Sequence, residues 1–105
     1  MARFLMVYLG GNPPSTPEEG QAHFKKYKEW LESLGDAVVS PANPLKNTHR
    51  VSAAGGVNTG SQSTMSGYTI VESDTIEAAI KMAQSCPFLE IGGTMEVSEL
   101  VPMSM

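Results

Sequence analysis

The chain has 105 residues, 41% hydrophobic and 17% charged, a balance that excludes a disordered polymer and lets one core form without disulfide or metal support. Its formal net charge of −4 offers nothing to a polyanion, so no nucleic-acid partner is expected. No apolar stretch has the length to cross a bilayer, so no membrane partner is expected either. The single cysteine, Cys86, rules out an internal disulfide and suits a cytoplasmic location. Residues 1–105 read as one domain.

Taken in chain order, the apolar run "FLMVYL" follows Arg3 but is too short for a signal peptide, lacks a small-residue cleavage site and breaks into "GGNPPSTP". "RFLMVYL" predicts a strand that is central in its sheet or covered on both sides. After the prolines, Thr16 reads as a helix N-cap, Pro17 as the first helical residue and Glu19 as the capping-box partner, with the helix stopping at Gly35. "DAVVSP" predicts a second strand ended by Pro41. Residues 42–66 are rich in Asn, Gly, Ser and Thr and predict a short, irregular hairpin, "THRVS" pairing with "VNT" across "AAGG". "GYTIVES" supplies the next strand. Asp74 with Glu77 resembles a capping box for a helix carrying Ile76, Ala79, Ile80 and Ala83 at helical spacing until Pro87. "TMEVSELV" is the last strand, with Met95 and Val97 alternating against Glu96 and Ser98.

The resulting order, β-α-β-(hairpin)-β-α-β, predicts an α+β chain of the ferredoxin-like split βαβ type, an antiparallel sheet with both helices on one face. The other face is then open. An apolar open face in so small a chain calls for a second copy, so a homodimer is expected, its sheets stacked or closed into a shared α+β barrel.

Candidate chemistry begins in the first helix, "GQAHFKKYKEWLESLG". At about 100° per residue, Lys25, Lys26, Lys28, Glu29 and Glu32 share one arc, and Phe24, Tyr27, Trp30, Leu31 and Leu34 the opposite one. His23 falls between Trp30 and Leu34, on the inward face and in the second turn, where the packed face meets the rim of the domain. A neutral imidazole there can donate from one nitrogen and accept at the other, as a general base must. The plainer reading is a packed ring bonded to a backbone carbonyl. Tyr8, Tyr27, Trp30 and Tyr68 are the aromatic candidates for the wall of a pocket beside His23, which would suit a small aromatic or polar ligand. Equally, they can simply fill the core.

His23, His49 and Cys86 are scattered singly, without the paired spacing of metal ligands, so no metal site is expected. "LGGNPP" and "GGVNTG" lack the lysine and following helix start of a phosphate loop and read as turns. No cofactor is expected.

Five stretches, "FLMVYLGG", "AHFKKYKEWLESLG", "SGYTIVES", "IEAAIKMAQSCPF" and "GTMEVSEL", together resemble the YCII-related family and, within it, the DGPF branch of small dimeric ferredoxin-like proteins. That resemblance implies a working histidine at His23. It also implies a histidine-aspartate dyad for proton transfer, including dehydrochlorination of an aromatic ring, with the aspartate in an Asp-Pro-aromatic segment after the second helix. Here that segment is "CPF", so Cys86 stands in the aspartate's place, and "VNTGSQSTMS" replaces the stretch where Asp-Gly-Pro-Phe would fall. The departures leave three readings. One is a lyase or isomerase in which His23 moves a proton, with Cys86 on the pocket wall. A second is a ligand-binding or accessory module that has lost the dyad. A purely structural dimer is the third.

Overall fold

In the computed structural model, which describes residues 1–103, the continuous apolar run near the N-terminus becomes strand β1 (Ala2–Gly10). It lies inside a four-stranded sheet between β5 (Met65–Ser73) and β6 (Gly93–Glu99), with β2 (Val38–Pro44) outside β5, in the order β2-β5-β1-β6. Every pairing is antiparallel. Helices α1 (Pro17–Leu34) and α2 (Ile76–Gln84) complete the ferredoxin-like α+β arrangement. Between β2 and β5, β3 (His49–Val51) and β4 (Val57–Thr59) form the expected hairpin, a separate two-stranded ribbon with Val51 opposite Val57.

Strand alternation divides the sheet. Phe4, Met6 and Tyr8 of β1 and Thr69, Val71 and Ser73 of β5 are buried on the side that also takes Trp30, Ala79 and Ala83 of the helices. Leu5, Val7, Leu9 and Ile70 point to the opposite side and are half-buried.

Thr16 caps α1, its hydroxyl accepting from Glu19 N–H at 3.1 Å, while the Glu19 carboxylate accepts from Ser15 N–H at 2.8 Å, one residue earlier than in a capping box. The second cap differs from expectation: Thr75, not Asp74, starts α2, accepting from Ala78 N–H at 3.1 Å. The apolar stripe of α2 is also rotated. Ala79 and Ala83 are buried, but Ile76 and Ile80 are 37% and 40% exposed, because the helix packs through its alanines and Met82.

Two further corrections concern β2 and α1. Pro41 does not end β2, which continues to Pro44. An edge strand tolerates a residue without an N–H, and the ladder to β5 shifts register between Ser40 and Asn43, so that Pro41 and Ala42 bulge out of it. Phe24, expected to face inward, is 64% exposed. It stands at the margin of the apolar arc, in the part of α1 before the helix reaches its one buried side chain, Trp30.

Candidate functional site

The first half of α1 spans a cavity of about 270 Å³ over the β1, β5 and β2 end of the sheet. Its wall carries His23 and Tyr27 from α1, Tyr8 from β1, Asn43 from β2, Gly67 from β5 and Phe88 from the 3-10 turn Pro87–Ile91 that follows α2. Gly67 shapes this end of the sheet. A side chain there would meet the Asn43 carbonyl oxygen at 2.9 Å, so only glycine lets the bulged β2 close against β5.

His23 is half-buried on this wall and also borders a second hollow of about 400 Å³ beside Asn12, Pro14 and Glu19. The ring therefore sits on a ridge between two concavities and is reachable by solvent. Among the described residues the ion pair is Lys26 to Glu90, and no carboxylate pairs with His23.

Behind His23 lies a cluster of three hydroxyls. Tyr8 Oη is 2.8 Å from Tyr27 Oη and 2.5 Å from Thr69 Oγ1, Tyr27 Oη is 3.3 Å from Thr69 Oγ1, and Thr69 donates to the Pro41 carbonyl at 2.6 Å. The carbonyl only accepts, which fixes the direction of the bonds at Thr69. Thr69 donates to the Pro41 carbonyl and Tyr8 donates to Thr69, while the Tyr27 hydroxyl has two acceptors in reach, Tyr8 Oη at 2.8 Å and the Pro41 carbonyl at 3.5 Å. All three protons are then used inside the cluster, and the Tyr27 oxygen is left as an acceptor. The β2 bulge is what turns the Pro41 carbonyl toward Thr69. Burial pushes the Tyr8 phenol well above its ordinary pKa. Tyr8 is thus a fixed neutral hydroxyl.

Of the aromatic candidates, Tyr8 and Tyr27 come together with His23, their rings 6.0 Å apart and nearly edge to face. Tyr68 borders the cavity too, but alternation along β5 aims its side chain to the sheet face opposite Thr69. Trp30 and Cys86 lie off this wall. Trp30 is 5% exposed, and its indole N–H donates to the Met82 carbonyl at 3.0 Å and the Ser85 hydroxyl at 3.2 Å. Cys86 is 2% exposed, and burial pushes its thiol up to about 11. That is the opposite of what an activated thiol requires.

The sequence did not single out Thr69, Asn43 or the Pro41 carbonyl. Only Thr69 left a signal: in "YTIVES" it shares a face with Val71 and Ser73, so its burial follows once that face is known to meet the helices. Among the described residues no group of three His, Cys, Asp or Glu side chains converges as a metal site. No described helix is long and apolar enough to cross a membrane.

An antiparallel split βαβ sheet with a cavity beneath its first helix defines a ferredoxin-like α+β protein of the type found in dimeric α+β barrels. No family model and no curated relative matches this sequence. Among solved structures, the chain is similar to 5-chloro-2-hydroxyhydroquinone dehydrochlorinase from Burkholderia phenoliruptrix AC1100, solved in complex with 2,5-dihydroxybenzoquinone. The likeness covers 90% of each chain at 18% identity with a TM-score of 0.52, and it is a likeness of fold.

Proposed function

We propose that this chain is a YCII-type protein, divergent from the DGPF branch, that binds a small ring-bearing molecule in the cavity beneath α1 as a cytoplasmic homodimer. The observation that carries this reading is that His23 shares one aromatic-walled cavity with Tyr8, Tyr27 and Phe88. Such walls take up a planar, largely apolar body, and a few polar groups orient it. The Tyr27 oxygen would accept from a ligand hydroxyl, and the Asn43 amide lies on the adjoining wall. The apolar face formed by Leu5, Val7, Leu9 and Ile70 supports the second copy.

A lyase or isomerase step is the second reading, favoured by the imidazole on the wall and by the activity of the structural neighbour. Imidazole takes and returns a proton near neutral pH. In a dehydrochlorination, His23 would carry a hydroxyl proton to the chlorine-bearing carbon, giving the keto tautomer, and would then remove a remaining hydroxyl proton while chloride leaves with the electron pair of its bond, which yields the quinone. With no carboxylate behind it, the imidazolium would be supported by water from the second hollow.

The test is an NMR titration of the His23 ring in a His49→Gln background, with and without a panel of phenols, hydroquinones and aromatic acids. Ring signals that move with a ligand support the site. Chloride release from a chlorinated hydroxyhydroquinone, abolished in His23→Gln, selects the enzyme. Binding without turnover selects the ligand-binding module, and ring signals indifferent to every compound defeat both.

A further inference from the structure

Phe88 is gripped on two sides by main chain. Its ring lies against Gly11 and Gly93, two glycines brought together at the end of the β1–β6 ladder, where Gly10 pairs with Gly93. A β-carbon added at Gly11 would meet Phe88 Cε1 at 2.8 Å, and one added at Gly93 would overlap Cε2, Cδ2 and Cζ outright. The third side is Tyr8, whose ring centroid is 5.1 Å away at an interplanar angle of 68°, an edge-to-face contact. Its backbone is held as well. Pro87 is buried, Leu89 N–H donates to the Cys86 carbonyl at 3.2 Å, and Lys26 of α1 pairs with Glu90 in the same turn at 3.2 Å. The face of the ring that remains lines the cavity beneath His23.

We infer that Phe88, seated against Gly11 and Gly93, is the specificity-determining end wall of that cavity and limits it to single-ring molecules. The inference rests on the reading that the cavity takes a ligand. A ring with no room to recede cannot yield to a longer occupant, so a second fused ring directed at this end would overlap it. Conversely, a methyl group at position 93 has one effect on the site: it drives the Phe88 ring off the strand end and into the space it lines. Gly93 is the cleaner position for this, because Gly11 has φ +89 and a substitution there would also strain the backbone.

The test titrates hydroquinone and 2-naphthol into the wild type, Phe88→Ala, Phe88→Leu and Gly93→Ala, following the amide signals of Gly67 and Tyr68. Thermal unfolding of the same samples identifies folded variants. Phe88→Leu keeps an apolar cover should Phe88→Ala fail to fold. The wild type is expected to bind hydroquinone and at least tenfold more weakly 2-naphthol. Shortening residue 88 should raise naphthol affinity at least tenfold, and Gly93→Ala should weaken hydroquinone at least tenfold. Equal naphthol binding by the wild type and the residue-88 variants, or unchanged hydroquinone binding in Gly93→Ala, overturns the inference. If no protein binds either compound, the ligand-site reading fails, and xenon under pressure decides the end wall alone. Larger xenon shifts at those amides in the shortened variants and smaller ones in Gly93→Ala support it, and equal shifts in all overturn it.

Discussion

The Tyr8 hydroxyl is hydrogen-bonded to that of Thr69 across a diagonal of the β1–β5 pairing, 2.5 Å from oxygen to oxygen, and Thr69 is wholly buried. Thr69→Val keeps the shape and removes both the acceptor for Tyr8 and the donor to Pro41. Leaving such buried groups without a partner costs about 1–3 kcal/mol. Urea denaturation of Thr69→Val should show that loss, and a change under about 0.5 kcal/mol would mean that the cluster is not sealed from water.

Trp30 is the one buried side chain of α1, and it bonds to the last turn of α2. Trp30→Ala should destabilise the fold by about 3–5 kcal/mol, from lost area, cavity and the stranded Met82 carbonyl. Trp30→Phe should cost clearly less, since it retains a ring and forfeits only the indole bonds. Denaturation midpoints of the two variants, compared with an unchanged slope, check the order.

Alkali should unfold this protein sooner than its composition suggests. Burial raises the Cys86 thiol from 9.0 to about 11 and raises the Tyr8 phenol as well. A group whose folded pKa lies above its unfolded one stabilises the fold in full below the unfolded value and loses that contribution as pH rises through the folded one. For Cys86 the window is pH 9 to about 11. Cys86→Ser, which does not ionise there, should flatten the fall in unfolding temperature across that window. Iodoacetamide at pH 8 should leave the native thiol unmodified and label it in urea.

The proposed dimer predicts that Ile70→Glu, on the open face and away from the cavity residues, shifts the sedimentation coefficient to that of a monomer while the far-ultraviolet spectrum is retained. A wild type that sediments as a monomer at every concentration would remove the homodimer from the proposed function.

The fold was legible wherever local pattern and tertiary role coincide. β1 reads as a central strand because its run is apolar on both alternating faces, and α1 announces its start through Thr16, Pro17 and Glu19. Pro41 misled because a missing N–H ends a strand only if a neighbour needs it, and strand order, not local sequence, puts β2 at an edge. Ile76 and Ile80 misled for a related reason: helical spacing gives the period of a stripe, whereas close approach to the sheet selects the alanines. At the site, helical phase was enough to aim His23 inward. Phe88 and Asn43 reach the cavity from elements far away in sequence, and no nearby periodicity marks them. Cys86 was drawn onto the wall by its place beside Pro87 and Phe88, but it is buried in the core, and the turn there points only Phe88 at the cavity.

The bulge that turns the Pro41 carbonyl inward also governs how this sheet meets other sheets. A free edge recruits foreign strands when it offers a long, regular row of donors and acceptors. The β2 edge offers two prolines, Pro41 and Pro44, and two breaks in register, while the β6 edge carries Glu96 and Glu99. Edge-to-edge growth into ribbons is thereby obstructed at both margins, and for the proposed second copy this leaves the face of Leu5, Val7, Leu9 and Ile70, where a two-fold pairing would close on itself and stop.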